Sequence, residues 1–207
     1  MVGNRVNVGL NPLVANYQII NVCVYCGYPQ GVSLQQMIWV EKFMDNRIYR
    51  NKTLRLENYD YTQNGLYFIT ICTNNRYPYF AKIDNGLLKL NSAGKMIKSV
   101  WLDIESRFDF IKLHTYIVMP NHFHAIVEII DSKNSTHIGE VIGAFKSLTT
   151  NEYIKGVHSY NWLPFDKRLW QKNYYEHIIR NEKSYLYIAD YTKNNPLKWE
   201  LDRFYTL

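Results

Sequence analysis

The sequence predicts an α+β fold, and three observations carry that expectation. Short runs of aromatic and β-branched residues alternate with stretches whose apolar residues recur at helical spacing. Two of the strand-like runs are separated by little more than Pro120-Asn121, a connection that suits a hairpin. The elements follow as strand, helix, strand, strand, helix, strand, helix. The first six describe a ferredoxin-like split βαβ sandwich with an antiparallel sheet, and the seventh is an added C-terminal helix.

Each element has its own justification. Gly65 to Thr73 reads Gly-Leu-Tyr-Phe-Ile-Thr-Ile-Cys-Thr between Asn64 and Asn74-Asn75, a buried strand bounded by turn residues. Leu87 to Leu90 reads as a short strand. Ser92 is placed to cap a helix running to about Phe108, with Met96, Ile97, Val100, Trp101 and Ile104 at helical spacing. Leu113 to Met119 is a second long strand, and His122 to Ile130, alternating cleanly, a third. A helix is expected from about Ile138 to Ile154, with Ile142, Phe145 and Leu148 on one face. A loop over 156–167 precedes a short strand at 168–171. The last helix spans about Glu182 to Thr192, with Asn181 as its N-cap and Pro196 preventing much continuation.

Composition bounds the class. The chain has 207 residues, 47% hydrophobic and 20% charged, a globular balance that argues against wholesale disorder. No run of eighteen apolar residues is present, so no membrane span is expected. The first twenty residues carry Asn4, Asn7, Asn11 and Asn16 and lack a compact apolar stretch, which makes a poor signal peptide. Lys plus Arg number 24 against 18 for Asp plus Glu, a net +6 compatible with a nucleic-acid partner but common without one. Three cysteines are too few for a disulfide scaffold. Cys23 and Cys26 lack the second half that a closed zinc site needs, so they read as ordinary thiols of a cytoplasmic protein. Residues 1–46, with few charges and no clear period, read as a partly ordered N-terminal appendage, and 47–207 as the functional domain. A basic segment, Arg47, Arg50, Lys52 and Arg55, opens that domain; it is either a solvated face or a phosphate contact.

His122-Phe123-His124 is the most informative tripeptide. On a strand, residues i and i+2 share a face about 6.5–7 Å apart. Two imidazoles there can converge on one divalent cation. Phe123 then points the other way, into a core with Ala125, Val127 and Ile129. Neutral imidazole suits Mn²⁺, Co²⁺ or Zn²⁺, while Mg²⁺ accepts it less readily. On spacing alone a pair of solvated strand histidines fits as well. Glu128 shares their face and can ligate, pair with a histidine or face water.

Met119-Pro-Asn-His-Phe-His-Ala-Ile-Val closely resembles the signature of the REP-associated tyrosine transposases, members of the HUH single-strand transposase superfamily. Five further segments agree in order: Arg55-Leu-Glu-Asn-Tyr-Asp-Tyr, Gly65 to Thr73 followed by Arg76 and Phe80, Gly143-Ala-Phe-Lys-Ser, Leu169-Trp-Gln with Tyr175-Glu-His-Ile-Ile-Arg180, and Asn195-Pro-Leu-Lys. Together they cover roughly residues 47–199. The resemblance implies a ferredoxin-like sheet carrying the two histidines and a C-terminal helix carrying a nucleophilic tyrosine. It implies a metal-dependent endonuclease and strand transferase of single-stranded DNA near palindromic hairpins, working through a 5′-phosphotyrosine. The alternative is a domesticated hairpin-binding protein without cleavage activity.

Carried onto this sequence, His122 and His124 are metal ligands for Mg²⁺ or Mn²⁺, Tyr191 is the nucleophile and Asn195, at i+4, is a third ligand. Tyr174, Tyr175, Tyr185 and Tyr187 compete with Tyr191. Glu176 and His177 are candidates for assisting the phenol. Trp170 and Tyr174 can stack on a base. Arg50, Arg55, Lys146, Arg168, Lys172 and Arg180 can contact phosphates. The relatives imply a monomer or a homodimer and no membrane partner.

Overall fold

The computed structural model describes residues 59–131 and 137–206. The expected appendage and the candidates Arg50 and Arg55 lie outside the described residues. The elements are β1 (Gly65–Cys72), β2 (Ala81–Asp84), β3 (Leu87–Leu90), α1 (Ser92–Ile104), β4 (Ile111–Val118), β5 (His122–Ile129), α2 (Ile138–Tyr160), β6 (Tyr175–Ile179) and α3 (Glu182–Asn194). A 3-10 segment, Asn195–Leu201, continues directly from α3.

Four strands form one antiparallel sheet in the order β4-β5-β1-β6. This is the split βαβ arrangement expected from the element order, with β5 and β1 interior and β4 and β6 at the edges. β2 and β3 form a separate hairpin, and its first strand was not anticipated. Gly86, at φ 74°, makes the turn between them, a conformation open to glycine without a Cβ clash.

The sheet register sorts side chains onto two faces. Tyr67, Ile69 and Ile71 of β1 lie opposite Val127, Ala125 and Phe123 of β5. These six are fully buried and join Ile97, Trp101 and Ile104 of α1 and Val141, Ile142 and Phe145 of α2 in the main core. Trp101 meets Phe123 and Phe145 edge-on, with ring centroids 4.8 and 5.0 Å away. The opposite face carries Phe68, Thr70 and Cys72 of β1 against Ile126, His124 and His122 of β5. α3 lies along β4 and β5.

Three local expectations change. Asn91, not Ser92, caps α1: its side-chain oxygen accepts from the Gly94 amide at 2.8 Å and its side-chain Nδ2 donates to the Tyr79 carbonyl. α2 runs to Tyr160 and closes on Asn161 in the left-handed conformation, φ 58°, six residues beyond the expected end. The final strand is Tyr175–Ile179, paired along β1, and not 168–171. Residues 168–171 contribute only an isolated bridge between Trp170 and Thr73.

Candidate active site

The hairpin between β4 and β5 sets the first half of the site. Thr73 ties the Asn121 carbonyl to the end of β1 through both its amide, at 2.9 Å, and its hydroxyl, at 3.0 Å. The Asn121 side-chain amide donates to the carbonyls of Arg76 and Phe204, at 2.9 and 2.7 Å. That fixes which end of the amide faces His122. Its oxygen lies 2.9 Å from His122 Nδ1 and can only accept, so Nδ1 carries the proton and Nε2 keeps its lone pair. His124 Nδ1 sits 2.8 Å from the Thr70 hydroxyl.

The two imidazole centroids are 4.5 Å apart, and both rings are wholly buried. Burial pushes His122 down to about 3, helped by the positive charges of Arg203 and Arg76 and opposed by Asn195. Burial, with His122 and Arg203 adding to it, holds His124 well below the usual histidine range. Both are therefore neutral near pH 7. Their Nε2 atoms have no hydrogen-bond partner, and neither does the side-chain oxygen of Asn195, which is 2% exposed.

A carboxylate that the sequence reading did not single out stands beside them. Ligand atoms of His122, His124 and Asp202 all lie within 4.8 Å of one another. Asn195 donates its amide to Asp202 Oδ2 at 2.9 Å, which aims its orphaned oxygen without using it. Buried polar atoms left unmatched are costly, and a divalent cation removes that cost. Two imidazole lone pairs, an amide oxygen and a carboxylate form a donor set suited to Mn²⁺ and tolerable for Mg²⁺. The residues present therefore fit a metal.

α3 supplies the phenol. The Tyr191 ring lies 5.7 Å from the His124 ring at 62° and 6.4 Å from the Phe68 ring at 85°. Phe68 in turn stacks on His124 at 5.1 Å. Tyr191 is half-buried on the face of α3 turned to His124. Phe204 closes another side, its ring 4.8 Å from His122.

The model of a family described as "Transposase IS200 like" matches residues 61–195. This chain belongs to the IS200-like transposases. An uncharacterized Haemophilus influenzae protein is 36% identical over 177 residues, 76% of this chain and 94% of that protein. A REP-associated tyrosine transposase of Escherichia coli is 23% identical over 138 residues, covering 67% of this transposase and 70% of its own chain. A solved REP-associated tyrosine transposase bound to a REP hairpin shares the fold, with a TM-score of 0.50, 21% identity and coverage of 70% and 73% of the two chains. The last two are REP-associated tyrosine transposases, the proteins whose signature the Met119 to Val127 segment resembles.

The remaining candidates separate sharply in the transposase. Trp170 is no base-stacking platform: it is 3% exposed, packs 5.0 Å from Phe80 and donates Nε1 to Thr149 at 2.9 Å. Its size and its donor are both consumed by the core. Tyr174 is half-buried and packs against that same core. Glu176 cannot assist the phenol directly. It lies opposite Ile69, on the sheet face away from the histidines, while His177, opposite Phe68, shares their face. Strand alternation prevents the two from acting together.

Lys146, Arg168 and Lys172 come together around an open cleft of about 410 Å³ between α2 and the 165–172 loop. Lys146 Nζ is engaged by the Gln171 and Lys172 carbonyls at 2.6 and 2.9 Å. Arg180 is exposed after β6. Tyr185 and Glu128 belong to another network. His114 bridges them, 3.0 Å from Glu128 Oε2 and 3.2 Å from the Tyr185 hydroxyl, so Glu128 pairs with His114. Among the described residues no helix is long and apolar enough to cross a membrane.

Proposed function

We propose that this transposase is a tyrosine-dependent endonuclease and strand transferase of single-stranded DNA. It acts beside palindromic hairpins through a 5′-phosphotyrosine, with a divalent metal. One observation carries the reading: a half-buried phenol on α3 lies beside His124, one of two adjacent imidazoles whose Nε2 atoms have no hydrogen-bond partner. The hairpin held by the structural neighbour supports the substrate class.

His122, His124, Asp202 and Asn195 would hold Mg²⁺ or Mn²⁺, which as a Lewis acid polarises the scissile phosphate and steadies the departing 3′ oxygen. The protein does the rest by positioning. Asn121 locks the His122 tautomer, and Thr70 orients His124. The Phe68 and His124 rings hold Tyr191 in place. Phe204 and Trp199, beside His122, keep water from that side. A tyrosine hydroxyl titrates near 10 and must lose its proton as it attacks. The Tyr191 oxygen bonds to phosphorus, the bond to the 3′ oxygen breaks, and that oxygen leaves as a 3′-hydroxyl. Attack of a strand's 3′-hydroxyl on the phosphotyrosine reverses the sequence and rejoins DNA without an outside energy source.

The test is incubation of the protein with labelled hairpin oligonucleotides and Mn²⁺ or Mg²⁺, looking for an adduct that survives denaturant. Tyr191→Phe removes one oxygen and is expected to cut adduct formation by at least about a thousandfold. Adduct retained in that variant moves the role to another tyrosine. Metal-dependent cutting that survives His122→Ala with His124→Ala overturns the ligand assignment. Wild-type protein that grips hairpins yet forms no adduct with either metal is a binding protein only.

A further inference from the structure

We propose that Arg203 binds the phosphodiester at the His122/His124 site, gripping two of its oxygens with one guanidinium. The proposal rests on reading that site as the place where DNA is cut.

The backbone around Arg203 is held rigidly. The Asp202 amide donates to the Trp199 carbonyl at 3.0 Å, and Asp202 Oδ1 accepts the Phe204 amide at 2.7 Å. Arg76 Nη1 donates to the Arg203 carbonyl at 3.0 Å, and Asn121 donates to the Phe204 carbonyl. The two flanks of the side chain are thus tied to the segment after β1 and to the hairpin that leads into His122. The guanidinium lies over the Phe204 ring at 4.4 Å and faces the Tyr175 ring at 5.7 Å. Tyr175 is the β6 partner of Thr70, on the histidine face of the sheet. Arg76 stands 5.5 Å from the same Phe204 ring, adding a second cation.

What the guanidinium lacks is an acceptor. Its Nε, Nη1 and Nη2 are all buried, and none has a hydrogen-bond partner or ion pair among the described residues. The neighbouring Asp202 carboxylate accepts from Asn195 and from the Phe204 amide and forms no ion pair with Arg203. Rings satisfy the flat face of a guanidinium but not the donors along its edge. A buried cation with unmatched donors is costly unless a ligand supplies acceptors. The fork of an arginine matches the oxygens of a phosphate bidentately.

Arg203→Met removes the charge and keeps the length. Arg203→Lys keeps the charge and removes the fork. The first readout is the thermal midpoint of chelator-treated protein with and without inorganic phosphate. The second is the single-turnover rate on a hairpin oligonucleotide with Mn²⁺. Phosphate is expected to raise the wild-type midpoint and leave Arg203→Met unmoved, while that variant melts higher than wild type without phosphate. Its cleavage rate is expected to fall about 100- to 1,000-fold. Arg203→Lys should keep part of the phosphate response and remain at least tenfold slow. Cleavage by Arg203→Met within about threefold of wild type, or an unchanged phosphate response, overturns the proposal. If Arg203→Met shows no cooperative melt, Arg203→Lys decides, and wild-type cleavage by it is equally fatal. The phosphate response needs neither metal nor Tyr191, so it stands or falls separately from the nucleophile assignment.

Discussion

At the scale of single residues, burial holds His122 and His124 neutral. His122 is held down to about 3 against about 6.5 for a free imidazole. Above pH 6.5 folded and unfolded chains agree that it is neutral, so it contributes nothing to pH dependence. Below that value the unfolded chain takes up a proton that the folded chain refuses. Stability is thus expected to drop as pH falls from about 6.5 to about 3, by up to about 1.4 kcal/mol per unit for this group. His124 acts with the same sign. Urea midpoints in metal-free buffer from pH 7 to 4 check this, and His122→Gln should flatten the profile. A wild-type profile already flat over that range overturns the account. Asp202→Asn is expected to weaken metal dependence about 10- to 100-fold, read as the Mn²⁺ concentration for half-maximal cleavage. The histidine pair was legible in the sequence because alternation on one strand dictates its geometry. Asp202 was not, because no helical or strand period links it to the pair. It arrives only through the turn after the 3-10 segment, where its carboxylate also accepts the Phe204 amide.

At the scale of elements, α3 must stay docked for Tyr191 to face His124. The chain from Tyr185 through His114 to Glu128 fastens its first half to β4 and β5. Glu128→Ala strands His114 Nε2 in a site where that side chain is only 10% exposed. The expected cost is about 1–3 kcal/mol in stability, measured by denaturant titration, with slower adduct formation from a loosened α3. Full-rate cleavage by this variant would show that the bridge does not position the helix. Element order and the long helices were readable from apolar periodicity. The last strand was not. Leu169-Trp170 has strand-like residues, but their bulk fills the core against Phe80 and Phe145. The true edge strand, Tyr175-Glu-His-Ile-Ile, carries Glu176 and His177 in adjacent positions, and its ladder partner lies far back in the chain at Leu66–Thr70. Local propensity says little about such a distant pairing.

At the scale of the whole molecule, one sheet separates stability from chemistry. Aromatic packing with α1 and α2 fills one face, and the histidines, Asp202 and α3 occupy the other. Phe145, fully buried against Trp101 and Phe123, belongs to the first. Phe145→Ala is expected to cost about 3–5 kcal/mol in the denaturant midpoint, yet to leave the cleavage rate of the folded fraction near wild type in the cold. A selective loss of rate at full stability would break that division. The two halves of the site also sit in parts of the fold that open at different cost. β5 is flanked by β4 and β1, so its backbone amides are shielded by ladders on both sides. α3 rests on the outer surface and is held by side chains. In heavy water the amides of 122–129 should be the slowest to take up deuterium, exchanging only when the entire domain unravels. Those of 182–194 should label earlier, through partial openings that leave the imidazoles where they are.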